Sequence, residues 1–457
     1  MKRGSMAIRG DLVLAVVLPV VCVAALLLTH PGAGRTGAEQ DRAPRLAPLV
    51  AASVVCPSGL GSGDRTFTTT MSAASGSVSA GLAAETTPVE VRPQRVSRVR
   101  GGGGPIVVSG AEALAPGLVA GRSTSKPLAA TDCRPASSEQ WFTGLGSGAT
   151  HNSVIELVNP NAGRAVADVV LWSQAGPLVI PELLGLTVRG RASTQLDLGA
   201  IAPRRGELTA RVFVGRGRLA VHVADSVDEL GTGLEATDWL APQSAPQRRN
   251  VLLGLTRGEG ERLLVLGNPG DSETRATIRI ITPRAVFAPS DLEPVIVPPG
   301  STKPIRLNDL LAEASDQGAI GLVVESSEPL TANLRQLVGD DLSEVAATAS
   351  VSAATAAVVP AGKARLLLAD ADGVGAATIT AYDAEGEELT SSTLDLIPDV
   401  GANVGLPSGT ALVSLSPERA SVRAALLIVD RTNGVAVVPF RDLEFDGLIP
   451  DARPGLF

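Results

Sequence analysis

The stretch Ser153–Ser173, SVIELVNPNAGRAVADVVLWS, decides the fold class, because a second copy of it follows at Arg262–Thr282, RLLVLGNPGDSETRATIRIIT. Asn159-Pro160 falls on Asn268-Pro269, an offset of 268 − 159 = 109 residues. Each copy is a short alternating apolar run, a turn rich in Asn, Pro and Gly, and a second alternating run. Period-two alternation marks half-buried strands, and Asn and Gly supply the backbone angles a hairpin needs. A third copy, ARLLLADADGVGAATITAYD, starts at Ala364, with Asp370 to Gly373 in place of the Asn-Pro turn.

The second halves repeat as well. LDLGAIAPRRGELTARVFVGRGRLAVHVAD from Leu196, LNDLLAEASDQGAIGLVVESSEPLTANLRQ from Leu307 and LPSGTALVSLSPERASVRAALLIVDRTNGVAVVPFRD from Leu406 share one strand–turn–strand layout. A fainter fourth copy lies upstream, around VVCPSG at Val54–Gly59 and GGPIVVSGAEALAPGLVAG. Short strands at this spacing predict an all-β chain of tandem antiparallel, immunoglobulin-like β-sandwiches, arranged in series as a rod or curved array. A propeller is the competing architecture, but a unit of about 105 residues is long for one blade. The predicted segments are an N-terminal β region at 50–135, which is a complete or a degenerate sandwich, repeats at 136–246, 247–347 and 348–446, and a tail at 447–457. One helical stretch stands out, Leu307–Ala314, with Asn308 or Asp309 as its cap.

Composition agrees with aliphatic cores. Aromatic residues are 2% of 457 residues against 44% hydrophobic. Leu12–Thr29 carries no charge and follows Lys2, Arg3 and Arg9. As a helix it spans about 27 Å, enough for a bilayer core. This predicts a cytoplasmic N-terminus at 1–11, a single transmembrane anchor at 12–29, a linker at 30–49 and export of the rest. Cleavage of the same segment as a signal peptide is the alternative. Cys22 would then sit in the membrane, leaving Cys56 and Cys133 as the exported pair, and an oxidising compartment predicts a disulfide between them. Two buried free thiols are the alternative.

Charge is divided unevenly. Residues 1–135 carry 14 basic and 8 acidic groups, and residues 136–457 carry 25 and 39, so the halves are +6 and −14. Arg92, Arg95, Arg98 and Arg100 precede Gly101–Gly104. They read either as a basic face for anionic lipid or wall polymer or as a solvated linker. The acidic remainder argues against a nucleic-acid partner.

Sets of catalytic residues are sparse. Beyond the anchor lie His151 and His222, with His30 at its edge, and no G-x-S-x-G or H-E-x-x-H occurs. Both read as structural. Acid pairs such as Glu325 with Glu328, Asp340 with Asp341 and Glu387 with Glu388 lack the aromatic platforms of a sugar cleft. Asp370-Ala-Asp372-Gly373 reads as a hairpin turn rather than a calcium loop. The reading assigns no catalytic, cofactor or metal residues. Trp141, Phe142 and Trp239 lie near predicted unit boundaries and are expected to pack between sandwiches, the alternative being an exposed anchor for a partner.

Trp141-Phe142, the N-P strands and the closing strand Val324-Glu-Ser-Ser-Glu-Pro329-Leu-Thr-Ala332 resemble a family of exported actinobacterial proteins known only as a domain of unknown function. The resemblance covers about residues 50–445 and fits the excess of Arg over Lys. It implies a membrane-anchored envelope protein with tandem sandwiches and supplies no catalytic residues. The expected role is non-enzymatic binding or scaffolding of wall glycan or an envelope protein. Alternatives are an accessory subunit of an envelope glycosyltransferase and an enzyme of unrecognised type.

Overall fold

The computed structural model describes residues 45–449 apart from 62, 84, 229–234 and 431–433. The chain is all-β, with two short helices and two 3-10 turns among the described residues. The proposed anchor at Leu12–Thr29 and Cys22 lie outside the described residues, and among those described no helix is long and apolar enough to cross a membrane. Two compact units are present, Met1–Ala47 with Gly447–Phe457, and Pro48–Asp446. The strands Arg45–Pro48 and Asp446–Ile449 pair as a two-stranded sheet.

The larger unit contains four sandwiches with one strand order. In the first, the eight strands are Ala51–Cys56, Arg65–Thr70, Gly76–Ala80, Thr87–Val91, Ser97–Val99, Ile106–Ala111, Leu118–Ser125 and Leu128–Asp132. Numbered one to eight, they form an antiparallel sheet 1-6-3-4 facing a second sheet 5-2-7-8. The same two orders recur over residues 139–240, 247–346 and 355–439. This order departs from the immunoglobulin arrangement, in which the first two strands pair within one sheet. Here the first strand pairs with the sixth. In the third sandwich strands six and seven are one continuous 18-residue strand, Gly321–Val338, which passes from one sheet to the other.

Alternation builds each core. Along Ala165–Ser173, Ala165, Ala167, Val169 and Leu171 turn inward and their neighbours are only half-buried. The cores are aliphatic, with Phe142 and Phe440 as the aromatic exceptions in the second and fourth. Burying each Leu or Val contributes about 1.5–3 kcal/mol, so many small side chains replace a few rings. The second strand of each sandwich ends on a polar turn residue. Asn159 and Asn268 are superimposable in their bonding: each accepts the N–H two residues on and donates to carbonyls four and 29 residues on. Thr70 accepts the N–H of Ser72 at the same place in the first sandwich. Asp370, with φ +58°, holds it in the fourth.

The sandwiches do not form an open series. Their eighth strands, Leu128–Asp132, Glu235–Leu240, Asp341–Ala346 and Gly434–Pro439, pack against one another in turn, first on second, second on third, third on fourth and fourth on first. The expectation of copies in series as a rod or curved array is thereby corrected to a closed circuit. Seventh strands face the preceding sandwich. Register with the second strand places Val119, Ala220, Thr331 and Arg423 at one equivalent point of the four copies. Val119 meets Ala356 and Val358 of the fourth sandwich, Ala220 meets Val55 and Val107 of the first, and Thr331 Oγ1 lies 2.5 Å from Thr143 Oγ1 of the second. Arg423 meets Gln247 of the third.

The helix at Asn308–Asp316 is longer than one turn, and its N-cap is Leu307. Asn308 does not cap it. Its Oδ1 accepts the N–H of Arg262 at 2.8 Å.

Asp132 bridges Arg134 at 2.8 Å and Arg441 of the fourth sandwich at 3.1 Å, and these cations hold its carboxyl below the usual range against burial, the largest influence on it. Asp132→Ala strands both guanidiniums and is expected to lower stability by about 3 kcal/mol, read as a lower urea midpoint. Cys56 and Cys133 form a disulfide across 77 residues. Peptide mass mapping should find Cys56 and Cys133 alkylated only after reduction, with Cys22 outside the pair, and Cys56→Ser is expected to cost about 4.5 kcal/mol on the chain-entropy scale.

Candidate functional site

The junction aromatics separate into two kinds. Trp141 stacks on Trp172 with centroids 5.4 Å apart, and its backbone exchanges hydrogen bonds with Gln243 in the linker to the third sandwich. Trp239 donates from Nε1 to the Ser58 carbonyl of the first sandwich at 3.2 Å. Phe142 lies instead inside the core of the second sandwich.

Both histidines are buried at junctions. His222 faces the first sandwich. Burial, ahead of the nearby charges, depresses its pKa to about 3, and its Nε2 has no hydrogen-bond partner. His151 anchors a charged network across the junction of the second and third sandwiches. Its Nε2 lies 2.9 Å from Asp225 and its Nδ1 3.4 Å from Glu207. Arg335, on the third sandwich, lies 2.6 Å from Nδ1 and 3.0 Å from Glu207, which bridges the two cations. Burial disfavours the imidazolium, yet Asp225 and Glu207 outweigh burial and Arg335 and push the pKa up to about 10. Ser153 donates to Asp225 and accepts from Gly146 N–H, so it is turned away from the imidazole as a nucleophile.

Glu344 lies beside this network. Burial, then the charge of Asp225, pushes its carboxyl well above the usual range, with Arg335 opposing. Glu344 accepts from Asn333 Nδ2, and its backbone N–H donates to Asp238 Oδ2 at 2.9 Å. The Asp238 carboxyl is likewise raised by burial. The network clamps two sandwiches and has no concavity for a substrate among the lining residues of the described cavities. Among the described residues no three His, Cys, Asp or Glu side chains converge as metal ligands.

An exposed site lies on the first sandwich. The residues read as either linker or basic face are built into structure: Thr87–Val91 and Ser97–Val99 are edge strands of its two sheets, joined by a turn at Arg92–Arg95. The turn is fixed by Arg95 N–H to Pro93 O and by Val96 N–H to Ala384 O of the fourth sandwich. Arg92, Arg95, Arg98 and Arg100 are all exposed and, among the described residues, make no ion pair. They line a cavity of about 490 Å³ with Glu90, and Arg98 and Arg100 also line a neighbouring cavity of about 530 Å³. The shared wall makes one furrow.

Buried Arg122 shapes the second cavity. It donates to the carbonyls of Pro57, Gly104 and Gly102 at 2.7–3.2 Å and lies 3.7 Å from Asp64. The Gly103 carbonyl accepts from Gly59 N–H. In a trans peptide the N–H points opposite the carbonyl, so the N–H of Gly103, opposite the Gly102 carbonyl, faces away from this buried cation. The motif Arg-x-x-Arg-x-x-Arg-x-Arg before a glycine run was readable, but Arg122 and the edge-strand setting were not, since neither has a local signature.

Residues 96–407 match a family of unknown function (DUF5719). The chain belongs to this family. The matched span runs from the furrow's Val96 and Arg98 to the fourth sandwich. No curated protein matches the chain.

The raised groups fix a pH dependence. A group whose pKa is higher in the folded chain holds a proton that unfolding releases. Its contribution is full below the unfolded value, 6.5 for His151 and 4.5 for Glu344, and fades as pH rises toward the folded value. Glu344→Gln is expected to match the parent in urea midpoint at pH 4 and to exceed it at pH 8. A midpoint below the parent's at pH 8 would mean an ionised, paired Glu344.

Proposed function

We propose that this chain is a non-enzymatic, extracytoplasmic binding or scaffold protein of the bacterial cell envelope, tethered through Leu12–Thr29. The observation that carries the reading is the arginine furrow, where four exposed guanidiniums without ion-pair partners share a concave surface on a chain of net charge −8. An acidic protein gains nothing in solubility from such a cluster, whereas a polymer with repeating phosphates or carboxylates meets guanidiniums in their preferred bidentate geometry. Two adjoining cavities suit a linear anion better than a single head group. The disulfide supports an oxidising compartment. The clamped junctions support a rigid scaffold on which such a surface keeps its shape.

The test is affinity of the full chain for long-chain polyphosphate and for purified wall polymers across a salt series. Replacing Arg92, Arg95, Arg98 and Arg100 together by Gln is expected to weaken binding at least tenfold and flatten its salt dependence. Binding unchanged by the fourfold variant, or no polymer retained by the parent, would overturn the reading.

A further inference from the structure

The outer face of the fourth sandwich's 5-2-7-8 sheet presents Leu367 and Ala369 from strand two, Ala425 and Leu427 from strand seven and Val437 from strand eight to the core of the third sandwich. Strand periodicity continues this row outward. Lys363 and Arg365 share a face with Leu367, Val429 follows Leu427, and Val435 precedes Val437. The third sandwich covers Val429 and Val435 only in part and leaves Lys363 and Arg365 exposed, and a cleft opens where the sheet runs on. Its volume is about 300 Å³. Leu255, Ile320, Leu367, Leu427, Val429 and Val435 give it an aliphatic lining.

The rim is cationic. Arg257 from the third sandwich and Lys363 and Arg365 from the fourth line the same cleft, all three exposed, and no acidic residue lines it. Among the described residues these three cations make no ion pair. A wall of the cleft is also held in place. Gln336 accepts the Thr256 N–H at 3.0 Å and donates to the Gly254 carbonyl, while fully buried Arg262 donates to the Thr256 carbonyl at 3.0 Å. Two buried polar side chains spent on one loop give a pre-formed wall rather than one that closes on demand. Enclosed apolar lining with a few convergent charges is the ordinary composition of a small-molecule site.

We propose that this cleft binds an anionic amphiphile, with its hydrocarbon chain on the aliphatic lining and its carboxylate or phosphate between Arg257, Lys363 and Arg365. The chemistry excludes the obvious alternatives. A neutral hydrocarbon would leave three guanidinium and ammonium groups facing an apolar ligand, and a cationic amphiphile would meet like charge. The cleft shares no residue with the arginine furrow, so it stands or falls separately from the reading above.

The test uses the full chain and a photoreactive diazirine dodecanoate, with adducts mapped by peptide mass spectrometry. Site mapping matters because Leu12–Thr29 is itself apolar. Adducts are expected on peptides carrying Leu255, Ile320, Leu427, Val429 or Val435. They should be displaced by dodecyl phosphate but not by dodecyltrimethylammonium. Lys363→Gln with Arg365→Gln, both at exposed positions, is expected to reduce labelling of these peptides at least tenfold, and Val429→Trp should block it by filling the cleft. Labelling of these peptides that survives the double variant, equal displacement by the cationic amphiphile, or adducts confined to other peptides would each overturn the proposal. The concentration of dodecyl phosphate needed for displacement, set against that of unlabelled dodecanoate, separates a phosphate from a carboxylate source.

Discussion

An edge strand exposes a row of unpaired backbone N–H and C=O groups, and this protein buries four of them against each other. The eighth strand ends the 5-2-7-8 sheet in every sandwich, and all four meet at the middle of the larger unit. Edges brought together this way must be satisfied without merging into one sheet. Aspartates do so at two of the junctions. Asp238 of the second sandwich accepts the Glu344 N–H of the third, and Asp341 of the third accepts the Val435 N–H of the fourth at 2.6 Å. Both acids are driven upward in pKa by their burial, Asp341 to about 7. Gly434 lets the last contact form, since a Cβ there would lie 2.3 Å from the Asp341 carboxyl.

Equivalent positions solve equivalent contacts with different chemistry. His222, Asn333 and Ala425 occupy one register position of the seventh strand, as do Arg335 and Leu427 two residues further on. The third and fourth sandwiches therefore meet at these positions through aliphatic side chains, with the Arg249–Asp370 pair beside them. The second and third meet through His151, Asp225, Glu207 and Arg335. A charged junction of this kind adds little net stability over an apolar one, but its pairs are directional and penalise every other mate. Distinct chemistry at each seam gives otherwise similar modules a unique neighbour.

The strands and hairpins were legible because alternation and turn residues are local signals. Asn159 and Asn268 announced themselves by an identical Asn-Pro, and the structure gives them three equivalent bonds. Thr70 occupies the same place with no sequence resemblance, because a hydroxyl can accept the same N–H. Strand order was not legible: nothing in Ala51–Cys56 says that it pairs with Ile106–Ala111. Closure was hidden for the same reason. It rests on outward-facing residues such as Val119 and Val358, which look like ordinary strand residues until register assigns their partners. The basic run before Gly101 was visible, but the cleft beside Leu427 was not, since its lining comes from six separate stretches of chain.

Tandem repeats in a row can gain or lose a copy at either end, and their outermost members need special capping faces. A closed circuit has no outermost member. Every sandwich here has two neighbours, so none frays first and none carries an unpartnered flank. A fifth copy would hold the eighth strands apart, and a missing one would leave two seams unmated. The copy number is thus set by geometry and locked against the duplications and deletions by which such arrays usually drift.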